Sequence, residues 1–267
     1  MDEDAEHTLI FVDMLGFATL TKNNPTRLVH YGPDERGFSG SSTSPLQTQF
    51  NRFHRILESC IVEQRLSGGM QAMLYSDCAF LDVGTSLRAG LIATELMRQF
   101  LRGRVPVRMG IGRGTFYAFS FSTDLSDSTT ITRSLFAGTA VVHAYAAERS
   151  GGKGMRVLVH PSLEPERHLI EQRVKMLTLP KPYDDAMWEL DYLYETRPAQ
   201  QQPPADESDL ELFEAVASMK EPKAKMKVRR QYIETHKALN QMRRANSRKP
   251  VKLRRLKSTF RELGSFS

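Results

Sequence analysis

The chain predicts an α+β fold: an antiparallel-rich sheet with helices on one face. Three observations carry that expectation. Short apolar runs rich in β-branched and aromatic residues alternate with longer segments whose apolar residues recur at helical spacing. Two runs, Met70–Leu74 and Cys78–Val83, are separated only by Tyr75-Ser-Asp77, which makes them a tight hairpin. The other strands are joined through helices, and mixed hairpin and crossover connections belong to α+β architectures.

Each element follows from its residues. Thr8-Leu-Ile-Phe-Val-Asp reads as a buried strand ending at Asp13. The stretch from Asn23 to Pro45, rich in Asn, Pro, Gly and Ser, reads as loop. Leu46–Gln64 places Phe50, Phe53, Ile56, Leu57 and Ile61 on one helical face, and Ser86–Arg102 does the same with Leu87, Leu91, Leu96 and Phe100. Val105–Gly114 alternates Val107, Met109 and Ile111 as a strand does. Alanine-rich Leu135–Glu148 predicts a helix, closed by the glycines of Ser150-Gly-Gly-Lys-Gly. Met155–His160 is a last strand, stopped by Pro161.

Length and composition bound the function. The 267 residues, 40% hydrophobic and 25% charged, suit a globular chain with one substantial core. No apolar run reaches 18 residues, so no membrane span is expected. The acidic start Met1-Asp-Glu-Asp predicts no secretory leader, and two cysteines cannot form a disulfide framework, so a cytoplasmic protein is expected. The net charge of +6 divides unevenly. Residues 220–267 hold 16 Lys/Arg against 3 Asp/Glu, a balance of +13, and the rest of the chain holds 21 against 28, a balance of −7. An acidic body of residues 1–196, a proline-rich linker of 197–208 and a basic, partly helical extension of 209–267 are therefore expected. In the extension Val228, Tyr232, Thr235 and Leu239 make a helical stripe. It can face a partner, or pack on the acidic body or another protomer, and basic patches also bind nucleic acid or acidic membranes.

Asp13 at a strand end and Asp77 at a hairpin tip are the first candidate site residues. If the hairpin lies beside the first strand, both carboxylates enter one crevice. They then call for a cation such as Mg²⁺, which takes a few carboxylate oxygens and leaves room for water and phosphates. Asp is equally ordinary as a turn residue and as a helix N-cap, and the spacing alone leaves that alternative open. Ser150-Gly-Gly-Lys-Gly-Met lacks the spacing and the strand-to-helix order of a phosphate loop.

Several local segments, in order, extend the argument. Phe11-Val-Asp-Met-Leu-Gly-Phe-Ala resembles the first metal-binding segment of the class III nucleotidyl (adenylate/guanylate) cyclases, and Leu74-Tyr-Ser-Asp-Cys-Ala-Phe resembles their second, a hairpin. Val107-Arg-Met-Gly-Ile-Gly-Arg-Gly, the helix Phe136–Arg149 and Val157-Leu-Val-His-Pro-Ser are similar to the elements that follow, so the resemblance spans about residues 8 to 163. It implies a ferredoxin-like catalytic domain that works as a homodimer with shared active sites. It also implies two divalent cations, Mg²⁺ or Mn²⁺, held by Asp13, Asp77 and the carbonyl of Met14. One ion would activate the ribose 3′-hydroxyl and the other would grip the β- and γ-phosphates. The amides of Leu15–Thr19, Gly16 and Phe17 among them, would meet the triphosphate. Attack of the 3′-oxygen on the α-phosphorus would release pyrophosphate.

The chain departs from the family pattern where the base is read. Met73 and Leu135 stand at the positions that carry purine-reading side chains, and neither can hydrogen-bond a base edge. His143 and Ala147 replace the usual Asn and Arg of the helix. Tyr145 and Arg149 keep an i, i+4 relation, so Arg149 is the candidate for the transition state, with Tyr145 or His143 orienting the substrate. Arg149 also suits a plain helix C-terminal cation, and Arg108 and Arg113 are reserves. Intact aspartates without purine readers are similar to the bacterial pyrimidine cyclases of Pycsar anti-phage systems. That similarity implies UTP, then CTP, as substrate, and a cyclic mononucleotide that acts on a separate effector protein. The alternative is a catalytically silent cyclase-like module whose basic tail contacts nucleic acid.

Overall fold

Apolar residues from Leu9 to Val12 drive β1 (Glu6–Met14) into the interior of a seven-stranded sheet. The protein is described by a computed structural model, over residues 6–23, 45–65, 70–124, 130–179, 185–186, 188–194, 205–219 and 226–251. After β1 come α1 (Phe17–Asn23), α2 (Pro45–Arg65), the hairpin β2 (Gln71–Leu74) and β3 (Cys78–Asp82), α3 (Ser86–Arg102) and β4 (Val107–Thr115). β1 pairs antiparallel with β3 and β4, and β3 with β2. The order β2-β3-β1-β4, with α2 and α3 as the connecting helices, is a split β-α-β-β-α-β unit. The ferredoxin-like α+β expectation thus describes the observed topology.

Strand alternation separates the two faces. Ile10, Val12 and Met14 of β1 and Met109 and Ile111 of β4 enter the main core with Phe53 and Leu57 of α2 and Leu96 and Phe100 of α3. Leu9 and Phe11 point the other way, into a smaller cluster with Phe80, Phe116, Ala140 and Ala144. That second face is covered by α4 (Thr139–Arg149), so the one-sided helical layer holds for α2 and α3 but not for α4. Glycines permit the close approach. A Cβ on Gly110 would lie 2.0 Å from the Ala144 carbonyl oxygen, and one on Gly112 2.3 Å from the Ala144 nitrogen.

The expected helix from Leu135 is corrected: residues up to Ala137 are strand. β5 (Tyr117–Asp124) and β6 (Thr130–Ala137) form a separate two-stranded ribbon, and the chain turns at Gly138 (φ +137°) before α4 starts. Past α4, β7 (Val157–Val159) runs parallel to β4. α5 (Arg167–Glu171) follows, and β8 (Met176–Thr178) and β9 (Trp188–Leu190) extend the sheet beyond β7. None of these last three short elements is expected from the sequence.

Residues 24–44 of the expected loop and most of the expected linker lie outside the described residues, while Asn23 ends α1 and Pro45 opens α2 rather than being loop. α6 (Ala205–Ser218) begins inside the last part of that linker span, and α7 (Met226–Ala245) follows. Leu212, Phe213 and Val216 of α6 and Leu239 and Met242 of α7 join the main core. Thr235 is buried too, so the described part of the basic stripe faces the chain's own body. Buried Asp209 ties the two helices by accepting from Arg243 (2.5 Å) and Arg248 (2.9 Å). Among the described residues no helix is long and apolar enough to cross a membrane.

Candidate active site

Register brings the first two candidates together. Asp13 stands opposite Cys78 on β3 and Arg108 on β4, all on the α4 face. The Met14 amide donates to the Asp77 carbonyl at 2.8 Å, which locks the hairpin tip beside the end of β1. The Met14 side chain is buried in the main core, so only its backbone faces this junction.

A third carboxylate lies beneath them. Glu148, near the end of α4, is fully buried and accepts from Arg108 Nε at 2.6 Å, and its Oε2 is 3.4 Å from Arg149 Nε. Arg108 Nη1 also donates to the Gly152 carbonyl at 2.6 Å. Burial, then the charges of Glu148 and Asp77, push the Asp13 carboxyl up to about 7 against the pull of Arg108 and Arg149. Burial and the charges of Asp77, Asp13 and Glu148 raise the Cys78 thiol to about 11, so it stays protonated. Cys60, in the main core, is raised to about 11 chiefly by burial, and both cysteines are free.

Aromatic rings lead away from this cluster along the same face. Arg149 lies over the Tyr145 ring (5.2 Å), Tyr145 packs on Phe11 (5.5 Å), Phe11 on Phe80 (4.5 Å) and Phe80 on Phe136 (5.0 Å). Beyond Phe136 opens a cleft of about 440 Å³ between β2 and the β5–β6 ribbon. Met73 and Leu135 both line it, with Phe119 and Phe136, and its polar side chains are Gln71 and Tyr75. Burial first, then Cys78, raises the Tyr75 hydroxyl, which keeps its proton as a donor.

The structure thus gathers Asp13, Asp77, Tyr145 and Arg149 on one face, and Met73 with Leu135 in the adjoining cleft. His143 is not among them. Its Nδ1 lies 2.7 Å from the Arg113 carbonyl and its ring stacks on His160 at 4.2 Å, on the opposite side of α4. Arg113 is excluded as well, because it is held at the other end of β4 by Glu6 (2.5 Å) and Glu166 (2.8 Å). Gly16 (φ +82°) makes the turn into α1, where its carbonyl accepts from Thr19 and Leu20, while Phe17 packs on the core. The Leu15 amide is spent on the Pro106 carbonyl (2.8 Å) and the Thr19 amide on Gly16, which corrects the expectation for those two amides. The sequence reading missed Glu148 and Gln71; the signal for Glu148 was a carboxylate on the alanine-bearing side of α4.

The donor set fits divalent cations. Hard carboxylate oxygens lie at one half-buried sheet end, where burial first, and then the charges of Glu148 and Asp77, make the Asp13 carboxylate costly to keep ionised without a cation. Among the described residues no group of three or more His, Cys, Asp or Glu is arranged to hold a metal. The two carboxylates of Asp13 and Asp77 are a pair that suits Mg²⁺ when water and phosphate oxygens supply the other positions.

No protein-family profile matches the chain, and no curated protein matches it by sequence. Solved structures similar to it include the guanylyl cyclase domain of the RhoGC fusion protein from the aquatic fungus Blastocladiella emersonii, at 14% identity over 70% of this chain and 94% of that one, with a TM-score of 0.46. A Trypanosoma brucei adenylate cyclase in its monomeric state is similar at 15% identity over 73% and 92%, with a TM-score of 0.47. The P. aeruginosa adenylyl cyclase CyaB is similar at 13% identity over 73% and 96%, with a TM-score of 0.45.

Proposed function

We propose that the chain is a nucleotidyl cyclase that converts a pyrimidine nucleoside triphosphate, UTP before CTP, into a 3′,5′-cyclic mononucleotide and pyrophosphate. One observation carries the reading: Asp13 and Asp77 lie at one sheet end beside Arg108 and Arg149, and an aromatic row runs from there to a cleft lined by Met73 and Leu135. Its size suits a small-molecule site, and Gln71 offers a donor and an acceptor to a base edge where Met73 and Leu135 offer none.

Asp13 and Asp77 would hold Mg²⁺ or Mn²⁺, with the Met14 carbonyl as a further ligand. When bound, the cations supply Lewis-acid activation of the 3′-hydroxyl and neutralise phosphate charge. The bond from the 3′-oxygen to the α-phosphorus forms as the bond to pyrophosphate breaks, and the hydroxyl proton passes to water. Arg149, exposed and held over Tyr145, is free to swing onto the phosphorane charge, whereas Arg108 is a fixed positive charge behind it. The resemblance supports a homodimer, and a role in anti-phage signalling in which the product acts on a separate effector.

Incubating the purified protein with ATP, GTP, CTP and UTP in turn, with Mn²⁺, and identifying products by mass spectrometry tests the reading. Cyclic UMP or cyclic CMP is expected. Absence of any cyclic product would leave the silent binding module, and cyclic AMP or GMP would overturn the pyrimidine assignment.

A further inference from the structure

The segment after α4 is glycine-rich yet tied down along its length. Arg108 donates to the Gly152 carbonyl (2.6 Å), Arg156 Nε to the Lys153 carbonyl (3.1 Å), and the Tyr192 hydroxyl to the Met155 carbonyl (2.9 Å). The remaining anchors come from α7. The Gly154 amide donates to Gln231 Oε1 (2.6 Å), and the Met155 amide to the hydroxyl of fully buried Thr235 (2.9 Å). The Thr235 hydroxyl donates in turn to the Gln231 carbonyl (2.8 Å), which fixes its acceptor lone pairs toward the loop.

Contact with α7 is close enough to demand glycine. Gly154 has φ +89°, and a Cβ there would lie 2.6 Å from the Thr235 nitrogen. Glycines lose more conformational freedom on ordering than any other residue, so a rigid Gly151–Gly154 needs anchors from outside itself. On its far side the same loop presents the Gly152 carbonyl, one of the two anchors of Arg108.

We infer that Gln231 and Thr235 of α7 are positioning residues for the candidate active site: they fix Gly152–Met155, and through Gly152 they aim the Arg108 guanidinium at Glu148 and the ground beside Asp13. The catalytic part of the inference rests on the cyclase reading; the mechanical part does not. It gives the basic extension a task independent of its charge, since both contact residues are neutral.

The experiment uses the full chain with Thr235→Val and Gln231→Ala, and Thr235→Ser as the conservative control. Amide exchange at Gly154 and Met155, and exchange of the Arg108 Nε proton, are read by NMR. Loss of one net hydrogen bond predicts exchange faster by about fivefold at those amides, with the Arg108 proton accelerated as well. Thr235→Ser retains wild-type exchange. Turnover in both disruptive variants falls about tenfold while KM for the triphosphate moves less, because alignment is lost and binding is not. An Arg108 proton whose exchange matches wild type in Gln231→Ala, at a half-buried site that tolerates truncation, overturns the inference even if Thr235→Val fails to fold. Altered exchange with unchanged kcat overturns the catalytic part. If the wild type converts no triphosphate, the cyclase reading falls on its own, and the exchange data still decide whether α7 holds Arg108.

Discussion

β1, β3 and β4 carry charges at both ends, and the two ends are built oppositely. At the far end His7 meets Asp82 at 2.9 Å, and Arg113 bridges Glu6 and Glu166. Ser86 adds a hydrogen bond to Glu166. At the near end Asp13, Asp77 and Glu148 share Arg108 and Arg149. Glu148 takes both ion pairs, and among the described residues neither Asp13 nor Asp77 forms one. At the far end every one of these carboxylates has a basic partner within the chain, whereas at the near end Asp13 and Asp77 have no ion-pair partner among the described residues, and that is where the proposed cations would sit.

The largest expected effect breaks this contrast at its centre. Asp13→Ala or Asp77→Ala lowers product formation in excess Mn²⁺ by about a thousandfold or more, the several kcal/mol that metal activation supplies. Glu6→Ala at the far end leaves turnover within about twofold. Either Asp variant with near-native product formation would remove the two-carboxylate assignment.

Stability separates the ends next. Glu148→Ala strands the Arg108 guanidinium in a buried site, and urea unfolding is expected to show a loss of about 3–5 kcal/mol. Glu6, whose side chain is half exposed, belongs to the class of surface pairs worth about 0–1 kcal/mol.

A further contrast is in pH. The folded protein holds the Asp13 proton more tightly than the unfolded chain does, from the ordinary 3.8 up to about 7. Unfolding therefore releases that proton between those limits, and the metal-free protein loses stability as pH rises from about 4 toward 7. Buried Glu189, raised to about 7 chiefly by its burial, adds in the same direction. Melting temperatures in chelator at pH 5 and pH 8 should show the decline, and Asp13→Asn should flatten part of it.

Residues with a local signature were legible in the sequence. Asp13 and Asp77 stood out because a strand end and a hairpin tip are written in short words around them. Glu148 did not, because fully buried glutamates are rare without a partner, and its partner Arg108 lies 40 positions away. The β5–β6 ribbon carried a signal in the alternation of Tyr117, Phe119 and Phe121, but Leu135-Phe-Ala runs straight into an alanine-rich helix and hides the break at Gly138. Tyr145 and His143, the two alternatives for orienting the substrate, are two positions along a helix and so about 200° apart, and the structure sets only Tyr145 beside Phe11 and Arg149.

The glycine row of β4 has a consequence for how such a chain can change. Where a helix touches a strand backbone to backbone, no side chain can be enlarged in small steps, since even a methyl on Gly110 would overlap the Ala144 carbonyl. Room for larger side chains is left on surfaces that α4 and the ribbon turn outward, at Val142, Phe119 and Leu135. The frame that holds the charges is closed to such enlargement, and the cleft lining at Phe119 and Leu135 is open to it. Were the cleft to read the base as proposed, its preference could be rewritten over generations without moving Asp13, Asp77 or Arg149.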